Sequence, residues 1–157
     1  MINKEDFSDI YSKEVIERII SKNPKPFYYK DVYRLIKHPK NKGLNEDVFL
    51  PTIMEINGNT MPPFEKQNRK TNLGLFSVSV YDSLEHIMLY FSSITSMREP
   101  LERGEYCLAK GKVHNKKGFG DKASESGDKI GHINYYLYDP INNNPVNDFE
   151  LEDNCND

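Results

Sequence analysis

The chain contains no tryptophan and only two cysteines among its 157 residues. Cys107 falls in a predicted strand and Cys155 in an acidic segment, so a disulfide framework is not expected. This sparing use of cysteine predicts a reducing compartment, the cytoplasm. Two cysteines and four scattered histidines also lack the spacing of zinc ligands, and the sequence therefore predicts no metal site.

Long apolar runs are missing as well. No stretch approaches the 18 consecutive apolar residues of a membrane-spanning helix, so no membrane partner is predicted. Apolar residues make up 37% of the chain, and ten tyrosines and eight phenylalanines predict an aromatic, β-branched core. We expect a single globular domain over residues 1–151, followed by an acidic, disordered tail over 152–157.

Charge is distributed unevenly along the chain. Residues 130–157 hold six acids and no Lys or Arg, whereas residues 22–42 hold seven bases and one acid. Basic side chains attract phosphates, and exposed tyrosines stack on unpaired bases, so nucleic-acid binding is one interpretation of residues 22–42. The other is that the tyrosines pack inward and the bases face water. The candidate nucleic-acid contacts are Lys30, Arg34, Lys37, Lys40 and Lys42.

Two segments have the apolar spacing of helices. The first covers residues 7–20, with Asp6 or Ser12 as its cap and the Asn-Pro pair at 23–24 as its stop. The second begins at Asp82, which together with Glu85 has the form of a capping box. Its predicted buried stripe consists of Leu84, Ile87, Met88, Phe91 and Ile94.

Several short segments favour strands. Residues 28–37 fit either a helix or a strand, and a strand from Lys30 to Lys37 is favoured. Extended structure is also predicted for residues 47–56, 73–81, 105–114, 132–139 and 146–151. Residues 60–72 indicate an irregular loop, and residues 115–131 a long glycine-containing loop, either a lid or simply disordered. The sum is an α+β fold, a mainly antiparallel sheet of five or six short strands with two main helices.

The segment FSVSVYDSLEH, residues 76–86, changes its period halfway. Apolar residues alternate with Ser77 and Ser79, and a helical pattern then begins at once. Two serines on one strand face indicate either an ordinary solvated face or one wall of a small site. Among the histidines, His132 is the candidate general base, since its strand face also carries Asn134.

The order of residues along the chain resembles that of the R-S-E type ADP-ribosyltransferases. An early strand carries Tyr33 and Arg34, and the later strand with Ser77 and Ser79 leads into a helix. The resemblance implies that NAD binds in a cleft lined by these four residues. Arg34 would hold a phosphate, a strand serine would support the nicotinamide ribose, and a glutamate would direct transfer; a guanidinium suits an anion chemically. The family's Glu-x-Glu or Gln-x-Glu signature is not matched, so the glutamate is unassigned.

No catalytic motif of high specificity occurs in the sequence. The leading prediction is therefore a small cytoplasmic accessory or regulatory protein that acts by binding another protein, with no established cofactor. An NAD-dependent ADP-ribosyltransferase and a nucleic-acid-binding protein are the alternatives. The candidate ligand-binding residues are Tyr33, Arg34, Ser77, Ser79 and His132.

Overall fold

A computed structural model describes residues 2–37, 44–94, 97–98, 105–122 and 130–152. Within these ranges six strands form one sheet in the order β4-β5-β2-β1-β3-β6, and every pairing among them is antiparallel. The strands are β1 Val32–Lys37, β2 Val78–Tyr81, β3 Tyr106–Gly111, β4 Gly118–Lys122, β5 His132–Leu137 and β6 Phe149–Leu151. The helices are α1 Lys13–Ser21, α2 Thr52–Ile56, α3 Phe64–Asn68 and α4 Leu84–Ser93.

The predicted α+β class is confirmed. Helices α1 and α4 have nine and ten residues and are the two main helices, whereas α2 and α3 have five each. The predicted strand from Lys30 to Lys37 is β1, two residues shorter at its start. Of the predicted tail, residues 153–157 lie outside the described part of the chain. No helix in the described ranges is long and apolar enough to cross a membrane.

Helix α1 begins at one of its two predicted caps. The Ser12 hydroxyl accepts a hydrogen bond from the Val15 N–H at 3.1 Å, while Asp6 belongs to a preceding 3-10 turn. The side chain of Gln67 on α3 is fully buried and connects α3 by hydrogen bonds to the segment that precedes α1. It accepts from the Ser12 N–H at 2.8 Å and donates to the carbonyl oxygens of Ile10 and Pro62, also at 2.8 Å.

Two predictions for the middle of the chain were wrong. Residues 47–56 are not extended: a 3-10 turn, Glu46–Phe49, is followed by α2. Phe49 and Ile53 are buried at helical spacing, and Pro51 suits the start of a helix, where no N–H is needed. Residues 60–72 are not irregular throughout, because α3 forms within them.

The serine-containing strand is shorter than predicted. Residues 73–76 form a 3-10 turn that the Asn72 side chain initiates by accepting from the Gly74 N–H at 3.0 Å. Only Val78–Tyr81 pairs as β2. Likewise, the predicted loop over 115–131 contains β4, and its residues 123–129 lie outside the described ranges.

Helix α4 differs from its prediction at both the cap and the buried face. Ser83, not Asp82, caps it, by accepting from the His86 N–H at 3.1 Å. Of the predicted stripe only Ile87 is fully buried, whereas Leu84 is 48% exposed and Met88 39%. The helix carries its own apolar side chains on most of its sides, so their spacing alone does not identify the face that packs on the sheet.

The two middle strands, β1 and β2, are joined at one end only. Their register consists of Tyr33 opposite Tyr81, whereas β1 pairs with β3 along six residues and β2 with β5 along four. In an antiparallel register the next pairs would be Arg34 with Val80 and then Leu35 with Ser79, and neither is formed. The sheet therefore opens between β1 and β2, beneath α4.

Candidate functional site

A pocket of about 510 Å³ lies where the sheet opens beneath α4. Its polar lining comes from β1, β2 and β5, which contribute Arg34, Ser79 and His132 respectively. Its apolar lining comes mainly from α4 and from Tyr81 of β2. The pocket therefore combines a cation, a hydroxyl and an imidazole with an apolar wall, a usual composition for a small-molecule site.

Arg34 fills the gap between the two separated strands. Its Nη1 donates to the main-chain oxygen of Ser79 at 2.9 Å. Ser79 is not paired with any residue of β1, so the Arg34 side chain takes the place of a main-chain donor from that strand. Its Nε donates to the carbonyl oxygen of Val48 at 2.7 Å, and its Nη2 to Glu55 Oε1 at 2.8 Å. The guanidinium thus satisfies two backbone acceptors and one carboxylate at once.

The Arg34–Glu55 ion pair is unequal in burial. The Arg34 side chain is 14% exposed and that of Glu55 is 40% exposed. Burial lowers the pKa of Arg34, with Glu55 opposing the effect, yet arginine remains charged in proteins. Burial also raises the pKa of Glu55, and this effect outweighs the attraction of the guanidinium. Three of the five N–H groups of Arg34 make these bonds, and the other two take no part in them.

Ser79 and His132 meet on the floor of the pocket. The Ser79 Oγ and the His132 Nε2 are 3.0 Å apart. Their contact follows from the register of β2 and β5, in which Tyr81 faces His132 and Ser79 faces Asn134. Ser79 and His132 are therefore diagonal neighbours on one face of the sheet, within reach of each other's side chains.

Aromatic rings form the apolar side of the pocket. The Tyr81 ring lies 5.2 Å from the His132 imidazole, 5.9 Å from Tyr90 and 6.2 Å from Phe91, measured between centroids. Phe91 belongs to the predicted stripe of α4, but sequence reasoning missed Tyr81 and Tyr90. Tyr81 could have been found because it lies two residues from Ser79 on the same strand face, and Tyr90 because it lies three residues from Ile87 on one helix.

The structure brings together three of the five predicted ligand-binding residues. Ser77 lies away from the pocket: it is fully buried, its hydroxyl donates to the Gly74 oxygen at 2.7 Å, and Asn134 Oδ1 lies 3.1 Å from the same hydroxyl oxygen. Tyr33 packs near the hydrophobic cluster under α4 without lining the pocket, and the Lys110 ammonium lies 5.9 Å from its ring centroid. Neither Ser77 nor Tyr33 touches the space that a ligand would occupy.

The predicted nucleic-acid contacts do not share one described surface. Arg34 points inward, because all three of its bonds are internal. Lys30 is exposed just before β1, in a depression that Asp31 and Lys110 also line. Lys40, Lys42 and the side chain of Lys37 lie outside the described part of the chain.

The described residues include no group of three or more metal-ligating side chains placed to hold a metal ion. The reactive and ligand-binding groups of the pocket are therefore the side chains of Arg34, Ser79 and His132, with the aromatic rings as its apolar wall. No protein-family model, curated protein or solved structure matches the chain.

Proposed function

We propose that this protein is a cytoplasmic accessory or regulatory protein that binds another protein through the outer face of α4. The observation that carries the proposal is the exposure of three large apolar side chains on that face. Leu84, Met88 and Leu89 are 48%, 39% and 49% exposed. Several large exposed apolar side chains on one short helix mark an interaction surface more often than single exposed apolar residues do.

Two of the three side chains are direct neighbours on the helix, since Leu84 and Met88 are four residues apart and lie one above the other. Leu89 lies about 100° further around the helix, four residues after Glu85. Methionine adapts its shape to varied partner surfaces. The helix contains no Lys or Arg, and Glu85 is its only acidic residue. The partner surface that fits is therefore apolar, with a basic side chain at its edge opposite Glu85.

A photo-crosslinking residue placed at Met88 is expected to capture one protein in cells that express the chain. The same residue at Ile56, which is 73% exposed on α2, serves as the control. The captured protein is then purified, and its affinity measured by calorimetry. We expect Met88→Glu to weaken that affinity at least tenfold, because the variant places a charge in an apolar contact. Equal capture at both positions, or unchanged affinity of the Met88→Glu protein, would contradict the proposal.

A second candidate function is NAD binding of the ADP-ribosyltransferase kind. The observation in its favour is that Arg34, Ser79 and His132 line one pocket. Arg34 has two N–H groups for a phosphate oxygen, and Ser79 offers a hydroxyl to a ribose. Among the described residues no carboxylate lines this pocket. The candidate is therefore a binding function, with the transfer step unassigned.

Calorimetric titration with NAD tests this second candidate. We expect binding by the wild-type protein and about tenfold weaker binding by Ser79→Ala, the loss expected for one hydrogen bond. Ser93→Ala is the matched control, since the Ser93 hydroxyl donates to the Tyr90 oxygen on α4, outside the pocket lining. Absence of measurable heat with the folded wild-type protein would eliminate NAD as a ligand.

A further inference from the structure

We propose that Ser79 and His132 are a nucleophile and its general base, and that the pocket hydrolyses carboxylic esters with apolar acyl groups. The geometry that carries the proposal is the 3.0 Å separation of Ser79 Oγ and His132 Nε2 at the floor of a 510 Å³ pocket. A serine hydroxyl is a weak nucleophile unless a base lies within about 2.6–3.2 Å of it. In the tautomer that carries its proton on Nδ1, His132 accepts the Ser79 hydroxyl proton.

Arg34 supplies the positive charge that such a reaction needs. It lines the same pocket as the Ser79–His132 pair, and it bonds to the main-chain oxygen of Ser79. Its side chain is only 14% exposed, and two of its N–H groups take no part in the three internal bonds. In the proposal these two groups bind the oxyanion. Donors held in a site with little water stabilise the oxyanion of a tetrahedral intermediate strongly.

The steps balance in atoms and protons with water as the only co-reactant. The Ser79 Oγ bonds to the carbonyl carbon of the ester while its proton passes to His132 Nε2. The bond from that carbon to the leaving oxygen breaks, and the alcohol leaves with the proton from His132. Water then attacks the acyl-serine carbon and gives a proton to His132, the Oγ–acyl bond breaks, and Ser79 recovers the proton as the carboxylic acid departs.

The lining of the pocket selects the acyl group. Ile87, Tyr90 and Phe91 of α4 line the pocket together with the Ser79–His132 pair, and the Tyr81 ring lies beside His132. These side chains accommodate an aliphatic or aromatic acyl group. They are uncharged, so they do not provide a cation that could pair with a negatively charged acyl group. We therefore expect esters of butyrate or benzoate to be better substrates than esters of dicarboxylic acids.

This activity is independent of protein binding by the outer face of α4, and it differs from NAD binding in its readout. A fluorophosphonate probe forms a covalent bond with an activated serine, which neither of the other functions requires. Hydrolysis of p-nitrophenyl butyrate measures turnover. Failure of the crosslinking or NAD experiments would leave these two measurements unaffected.

The test treats wild-type protein, Ser79→Ala, His132→Gln and Ser93→Ala with the fluorophosphonate. Peptide mapping by mass spectrometry locates the adduct, and circular dichroism confirms that each variant is folded. We expect an adduct on Ser79 in the wild-type and Ser93→Ala proteins and none on that residue in Ser79→Ala. We expect labelling and ester hydrolysis to fall at least 100-fold in His132→Gln, the usual contribution of a general base.

Three results would overturn the proposal. The first is no adduct on the folded wild-type protein, and the second is an adduct that maps to another residue. The third is labelling of His132→Gln at the wild-type rate, which would show that the imidazole does not activate the serine. If Ser79→Ala does not fold, the mapped adduct and the His132→Gln rate still decide the question.

Discussion

Replacing Arg34 with alanine is expected to lower the free energy of unfolding by about 3–4 kcal/mol. The variant loses three hydrogen bonds and leaves the main-chain oxygens of Val48 and Ser79 without their donor. Each bond from a charged donor contributes about 1.5–3 kcal/mol, but the contributions are not additive. Urea denaturation followed by circular dichroism measures the change.

The matched control is Glu55→Gln, which keeps the shape and removes only the charge of the partner. Its expected cost is under about 1 kcal/mol, since a partly exposed ion pair contributes little. The raised pKa of Glu55 points the same way, because burial already disfavours the charged carboxylate. If Glu55→Gln lowered the free energy of unfolding as much as Arg34→Ala does, the stabilising interaction of Arg34 would be the ion pair and not its two bonds to backbone oxygens.

Gly131→Ala is expected to destabilise the protein by about 3 kcal/mol, or roughly 6–12 °C in Tm for a chain near this length. Gly131 has φ +79°, a conformation that costs a residue with a Cβ about 1–2 kcal/mol. An added Cβ would also collide with Asp82 Oδ1 and His86 Nδ1. These two atoms are 2.6 Å apart in a hydrogen bond at the start of α4, so the collision would disturb that bond.

The control separates backbone strain from the collision. Gly58 has φ +65°, and a Cβ there would meet no atom within 4 Å. Gly58→Ala is therefore expected to cost only about 1–2 kcal/mol, which is the strain alone. Differential scanning calorimetry of the two variants gives the comparison. Equal losses of stability would mean that the Asp82–His86 contact adds nothing to the constraint on Gly131.

Helix α4 connects the two proposed activities. Its inner face, with Ile87, Tyr90 and Phe91, lines the pocket, and its outer face carries Leu84, Met88 and Leu89. In the proposals, one ten-residue helix therefore contacts a substrate on one side and a protein on the other. The Asp82–His86 bond and the Ser83 cap set where this helix starts relative to β2.

The amino-acid sequence by itself determined the class of fold, most of the strands and both main helices. These features depend on spacing of residue types that is local in the chain, as in β5, where Ile133, Tyr135 and Leu137 alternate with His132, Asn134 and Tyr136. Local hydrogen bonding also made Ser12 predictable as a cap. Arg34 and Ser79 were candidates through the resemblance in residue order and His132 through its imidazole, and no local pattern showed that the three meet.

Only the tertiary structure decided which of those side chains share a pocket. Ser77 and Ser79 look equivalent in the sequence, yet the turn at residues 73–76 buries Ser77, while Ser79 borders the gap between β1 and β2. That gap depends on a strand register between residues about 45 positions apart, which apolar periodicity does not encode. The sequence also did not determine which face of α4 packs on the sheet, for a related reason. A helix apolar on most sides is oriented by the surface it meets, and that surface is assembled from distant parts of the chain.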